Sequence, residues 1–323
     1  MNPGNRKNRI YDFQPKQEHF REKVLKGLQK SPKELPTEYL YDERGSYLYE
    51  RICSLDEYYI PRIEAAIMEN HIDEIVALLG PNCLLIEYGC GSCTKTLILL
   101  DNMPDLAAYV PIDISKEQLE HVVDELGQTY PALDILPVCA DYTDSFEMPV
   151  PKRPSDRTVF YFPGSSIGNF DPPSAMQFME HIAAVCGKGG ALLIGVDLEK
   201  DPTVLHRAYN DREGVTAAFN LNLLERINRE LNADFQLEQF RHCAFYNQEK
   251  GRVEMHLQSK IEQVVHLDNV SIPFAEGESI WTESSYKYSL DNFEQLATDA
   301  GFCVAKVWTD EHQWFNVYYL IAN

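Results

Sequence analysis

Between residues 83 and 198 the sequence returns repeatedly to one pattern: a short apolar run, a turn, then a segment with helical spacing. The runs are CLLIEYG (83–89), AAYVPID (107–113), LDILPVCAD (133–141), TVFYFPG (158–164) and ALLIGVDL (191–198). Runs this short and this continuously apolar are strands covered on both faces, the condition of a parallel sheet. Helical segments separate them. One covers Thr94–Asn102, and Asp171-Pro-Pro opens another that reaches Cys186. A third starts at Ser115, with capping-box spacing to Gln118, one face made of Leu119, Val122, Val123 and Leu126, and a stop at Gly127. The rhythm predicts an α/β fold with a doubly wound, Rossmann-like sheet.

After Asp197 the rhythm stops. Residues 203–210 and 216–232 read as helices, 242–248 and 252–260 as an antiparallel pair turning at 249–251, and 264–273 as a further strand. The α/β pattern then resumes: Ser289 caps a helix that Gly301 ends, and 304–310 and 315–323 read as closing strands. The expected division is therefore 63–199 with 287–323 as one domain. Residues 1–62 with 200–286 form a second, mixed α+β unit over the mouth of the sheet.

Composition narrows the function. The chain has 323 residues, with Lys+Arg 29 against Asp+Glu 50 and a formal charge of −21. So acidic a chain is unsuited to nucleic acid, whose phosphates need a basic surface, and to anionic membranes. The first ten residues, MNPGNRKNRI, have no apolar core for a secretory signal, and no apolar run approaches the roughly 20 residues of a membrane span. Eight cysteines without export read as reduced thiols, so the expectation is a cytoplasmic, monomeric enzyme acting on a small molecule.

In a parallel sheet, ligands bind beyond the carboxyl ends of the strands. That gathers Gly89–Ser92, Asp113, Asp141 and Pro163–Asn169 around one crevice. Gly89 and Gly91 let the backbone pass close to a ligand. Asp113 stands where an acid grips ribose hydroxyls, and Asp141-Tyr142 can hold an adenine ring. A dinucleotide fingerprint would carry a third glycine where Thr94 stands. The constellation points instead to a class I S-adenosylmethionine methyltransferase. Cys90 and Cys93 also make a C-x-x-C pair, but no second pair completes a zinc site, and a redox dithiol leaves the glycines and acids without a role. No metal is expected.

Four further segments narrow this. LPTEYLYDERGSYLYERICSLDEYYIPR (35–62), FPGSSIGNF (162–170), RAYNDREGVTAAFN (207–220) and TESSYKY (282–288) closely resemble the ergothioneine-pathway histidine Nα-methyltransferases, and the likeness runs from about residue 20 to the C-terminus. The resemblance implies three successive methyl transfers from S-adenosylmethionine to histidine, giving hercynine. It implies that Tyr58, Asn169 and Tyr209 hold the amino acid's main-chain groups, with Tyr58 accepting or relaying the amine proton. Glu283 and Ser285 would bind the imidazole, with Met255 nearby. Tyr41, Gly89, Gly91, Lys95, Asp113, Asp141 and Tyr142 would surround the cofactor. Phenol and amide groups would then bind the main-chain end without a full opposing charge, and Tyr58, Tyr59 or Phe162 would offer aromatic faces to the methylated ammonium. Two other functions fit less of the sequence: methylation of another amino acid such as tryptophan, and a non-catalytic redox sensor built on Cys90 and Cys93.

Overall fold

The structure is a computed structural model and describes residues 10–13, 17–91, 94–141 and 146–323. Its strands, in chain order, are β1 (Tyr11–Asp12), β2 (Lys33–Glu34), β3 (Cys83–Tyr88), β4 (Ala108–Asp113), β5 (Val138–Cys139), β6 (Arg157–Phe162) and β7 (Ala191–Asp197). There follow β8 (Phe240–Asn247), β9 (Arg252–Ser259), β10 (Gln263–Leu267), β11 (Val270–Phe274), β12 (Ser279–Tyr286), β13 (Phe302–Thr309) and β14 (Phe315–Ala322).

Eight strands form one sheet in the order β1-β5-β4-β3-β6-β7-β14-β13. The central pairs are parallel, while β14 runs antiparallel to both β7 and β13. This is the predicted α/β architecture, and the reason is visible in burial: β7 is buried at all seven positions and β3 at five of six. One apolar layer, with Leu85, Tyr109 and Leu193, lies on one side of the sheet. The other, with Ile86, Phe160, Phe178 and Phe293, lies opposite. The expected caps are present: Ser115, Asp171 and Ser289 accept from the backbone N–H of Gln118, Ser174 and Asn292.

Three expectations need correcting. The strand predicted over 133–141 shrinks to Val138–Cys139 with a single bridge from Ile135 to Tyr109, because Pro137 has no N–H to give the ladder. The helix after Ser115 does not stop at Gly127 but runs to Thr129, since a glycine inside a helix costs only about 1 kcal/mol. The strand at 264–273 is a hairpin, β10 and β11, paired from Gln263–Phe274 to Leu267–Val270.

A second sheet, in the order β2-β12-β9-β8, joins the leader to the segment after 235. Helices Glu43–Cys53 and Val215–Leu231 pack together, tied by Arg229 and Asn222 to Asp42 and by Arg44 to Glu225. The leader is not wholly on that side, however. β1 pairs parallel with β5 at the edge of the large sheet.

Candidate active site

The carboxyl end of β3 carries the glycine loop. Gly89 and Gly91 have φ of 68° and 48°, a region that L side chains rarely adopt, and among the described residues nothing beyond the adjoining chain lies within 4 Å of where either Cβ would stand. Asp113, at the end of β4, fixes the loop: its carboxylate accepts from the N–H of Gly91 at 3.1 Å and of Ser115 at 2.9 Å. Burial pushes its pKa up, and those N–H groups oppose the shift. Asp141 is buried at the end of the next strand segment. Beneath the loop, Glu87 accepts from Thr96 Oγ1 and the Tyr109 hydroxyl, and burial raises its pKa to about 7. Lys95 is half-buried and ion-paired with Glu64, which also accepts from the Gly164 N–H. Tyr142 and Cys93 lie outside the described residues.

Around the same end of the sheet stands an aromatic row. Tyr41 meets Tyr49 and Phe219 at ring separations of 5.5 and 5.4 Å, Tyr49 meets Tyr58 at 6.4 Å, and Tyr58 meets Tyr209 at 6.1 Å. Strand β12 faces this row with Glu283 and Ser285, and Met255 on β9 is the cross-strand partner of Glu283. The loop after β6 reaches the same strand through Gly168, where a Cβ would sit only 2.7 Å from the Tyr286 carbonyl oxygen. That close approach sets the neighbouring Asn169, itself half-buried, against β12. Six of the residues predicted to bind substrate or cofactor, Tyr41, Tyr58, Asn169, Tyr209, Glu283 and Ser285, thus converge from five separate stretches of chain.

Glu283 is 8 % exposed, and no described residue donates a hydrogen bond to its carboxylate. Burial raises its pKa to about 7, with the charge of Lys287 pulling the other way. Tyr58 and Tyr49 are pushed well above the usual phenol range, chiefly by burial, so both are neutral phenols at physiological pH.

Charged groups that the sequence reading left unassigned stand behind these side chains. Lys287 is buried; its ammonium pairs with Asp197 at 2.7 Å and donates to Ser285 Oγ at 2.8 Å and Tyr209 Oη at 3.1 Å. Asp197, at the end of β7, also takes Lys200 at 2.5 Å and the Tyr59 hydroxyl at 2.8 Å. A buried cation and its counter-ion thus back Tyr209, which the sequence reading had left among neutral groups. Two of the proposed aromatic faces fail. Phe162 packs on Phe178 at 4.9 Å in the opposite core layer, and the Tyr59 ring lies under Lys200 at 4.8 Å. Tyr49, which the sequence reading did not single out, belongs to the aromatic row.

Lys287 was legible in principle, because residues 283, 285 and 287 share one face of a strand by period-two alternation. Asp197 likewise ends a strand, as Asp113 does. Among the described residues, no group of three His, Cys, Asp or Glu side chains is placed to hold a metal, and no helix is long and apolar enough to cross a membrane.

The chain is similar to proteins of known activity. It is 39 % identical over 299 residues to a histidine N-alpha-methyltransferase of Mycolicibacterium smegmatis, covering 91 % of this chain and 92 % of that one. The corresponding Mycobacterium tuberculosis enzyme is 37 % identical over 297 residues, covering 90 % and 91 %. Ergothioneine biosynthesis protein 1 of Neurospora crassa is 31 % identical over 296 residues, covering 86 % of this chain and 32 % of that longer protein. The profile of the histidine-specific, S-adenosylmethionine-dependent methyltransferases matches residues 20–322, and the chain belongs to that family.

Proposed function

We propose that this enzyme adds three methyl groups in succession to the α-nitrogen of L-histidine, producing the betaine hercynine in ergothioneine biosynthesis. The observation that carries the reading is Glu283, a buried carboxylate with no donor among the described residues, set near Tyr58, Tyr209 and Ser285. Such a group calls for a ligand N–H, which an imidazole supplies.

S-Adenosylmethionine supplies an electrophilic methyl group on a sulfonium. Tyr41, Gly89, Gly91, Lys95, Asp113 and Asp141 are the described residues proposed to hold it. The open, positive-φ loop and the strand-end acids suit a bulky polar ligand. Tyr58, Asn169 and Tyr209 are proposed to hold the α-amine and carboxylate, which fixes the nucleophile in line. As a neutral phenol, Tyr58 accepts a hydrogen bond from the amine and is not its base in ionised form. Tyr41, Tyr49, Tyr58 and Phe219 then offer ring faces to the growing ammonium, each contact contributing roughly 0.5–2 kcal/mol. The proposed division of labour gives cofactor binding to 63–199 and 287–323 and histidine binding to 1–62 and 200–286, with β1 as the exception noted above. A cytoplasmic monomer without a metal is the proposed form, on the chain's acidic balance and eight cysteines.

The test is direct. Purified protein is given S-adenosylmethionine and each amino acid in turn, and products are weighed. Histidine is expected to gain one, two and then three methyl groups; no gain on histidine sinks the proposal, and a preference for tryptophan favours a related N-methyltransferase. A second expectation concerns Cys90, whose Sγ lies 3.9 Å from Asp113 Oδ2. Thiols are weak donors, so Cys90→Ala is expected to keep kcat/KM within about threefold. A hundredfold loss would restore a catalytic role for the thiol.

A further inference from the structure

Resting on the reading of Glu283 and Ser285 as the imidazole site, we propose that Lys287 is a positioning residue. It fixes the direction of hydrogen bonding there, so that the site accepts one neutral tautomer of the histidine ring. An ammonium has three N–H groups and no lone pair, so it only donates. Those of Lys287 go to Asp197 at 2.7 Å, Ser285 Oγ at 2.8 Å and Tyr209 Oη at 3.1 Å. All four side chains are buried. The Tyr209 hydroxyl in turn donates to Ser285 Oγ at 2.8 Å.

Ser285 Oγ therefore accepts twice, from Lys287 and from Tyr209, and a hydroxyl oxygen has two lone pairs. Its acceptor capacity is used, and what remains is its own O–H. Facing a ligand, Ser285 can only donate. Glu283, two residues along the same strand face, can only accept when ionised. A ring bound between them must present a bare nitrogen to Ser285 and an N–H to Glu283. The imidazolium cation has no bare nitrogen, and the other tautomer has its proton at the wrong end. Without Lys287 the Ser285 hydroxyl regains a lone pair and can turn either way. Asp197 completes the device by neutralising the lysine, with Lys200 and Tyr59 on its remaining lone pairs.

The experiment is nitrogen NMR of ring-labelled histidine bound to the full-length protein together with S-adenosylhomocysteine. Wild type is expected to show one protonated and one bare ring nitrogen; two protonated nitrogens overturn the proposal. In Lys287→Met, where Asp197 keeps Lys200 as its counter-ion, and in Asp197→Asn/Lys287→Met, where Lys200 is the buried cation left over, the ring is expected to populate both tautomers or the cation. Histidine Kd should rise about tenfold, the scale of one buried hydrogen bond, with the Kd of S-adenosylhomocysteine within about twofold. An unchanged ring signature in a folded variant overturns the role of Lys287. If neither variant folds, binding of 3-(pyrrolyl)alanine to wild type decides, since it keeps an N–H but has C–H in place of the bare nitrogen. At least tenfold weaker binding than histidine is expected, and equal binding overturns the proposal. Histidine binding and methylation are read separately, so a protein that ignores histidine fails the functional reading, whereas one that binds it as a cation fails only this one.

Discussion

Glu283→Ala is expected to raise the KM for histidine roughly 10- to 150-fold, the equivalent of about 1.5–3 kcal/mol for a hydrogen bond to a charged group. The loss falls on binding because Glu283 is proposed to meet the ring, remote from the α-amine where methylation occurs. The kcat should change much less, since an interaction equally strong in ground and transition states moves KM alone. Steady-state kinetics checks this, and an unchanged KM removes Glu283 from the imidazole site. pH adds a second signature. Burial holds the Glu283 pKa at about 7, above its ordinary 4.5. The folded protein therefore binds a proton here that the unfolded chain releases, and stability falls as pH rises from about 4.5 through 7. Glu283→Gln, which cannot ionise, should abolish that slope and be more stable than wild type at pH 8, by on the order of 2–3 kcal/mol. Histidine capture runs the other way. It needs the carboxylate, so kcat/KM should climb with pH through about 7 in wild type. The stability that this acid removes above pH 7 is the counterpart of its appetite for a ligand N–H.

The sheet was readable because its strands are apolar on both faces and its helices carry their own caps. Ser115, Asp171 and Ser289 needed nothing beyond the local sequence. The glycine loop and Asp113 were readable for the same reason, since a positive φ and a strand-terminal acid are local properties. What local reading could not supply was which polar groups face one another across the fold. Asp197 and Lys287 are 90 residues apart in sequence and meet only because β7 and β12 end at the same place. Phe162 shows the converse. Its position beside the predicted loop suggested a role, but alternation along β6 turns it into the opposite core layer, against Phe178. Tyr49 was obscured by abundance: among 18 tyrosines, packing is the better guess for any one without a motif.

Asp197→Ala is expected to cost about 3–5 kcal/mol of stability, because it strands two cations in the interior. Lys200 and Lys287 have side-chain exposures of 3 % and 0 %, and both rely on this carboxylate. Wild type already shows the tension: burial lowers the Lys200 pKa to about 8, while the same aspartate raises that of Lys287. The aspartate's own pKa is depressed, so its contribution is present above its unfolded value and lost as pH falls through the folded one. Removing it changes the pH dependence in a way a simple cavity would not. With no counter-ion, both lysines bind protons less readily in the folded than in the unfolded chain. The variant should then regain stability as pH rises from about 7 towards the ordinary lysine value near 10.4. Chemical denaturation of wild type and variant across that range measures the effect, and a pH-independent deficit would reduce Asp197 to a packing role. Asp197→Ala/Lys287→Met should recover part of the loss, since it leaves one buried cation instead of two. Histidine affinity should nevertheless stay low in the double variant, because Ser285 and Tyr209 have then lost the donor behind them. Stability restored without affinity would separate the ion pair's part in holding the fold from its part in aiming the hydroxyls.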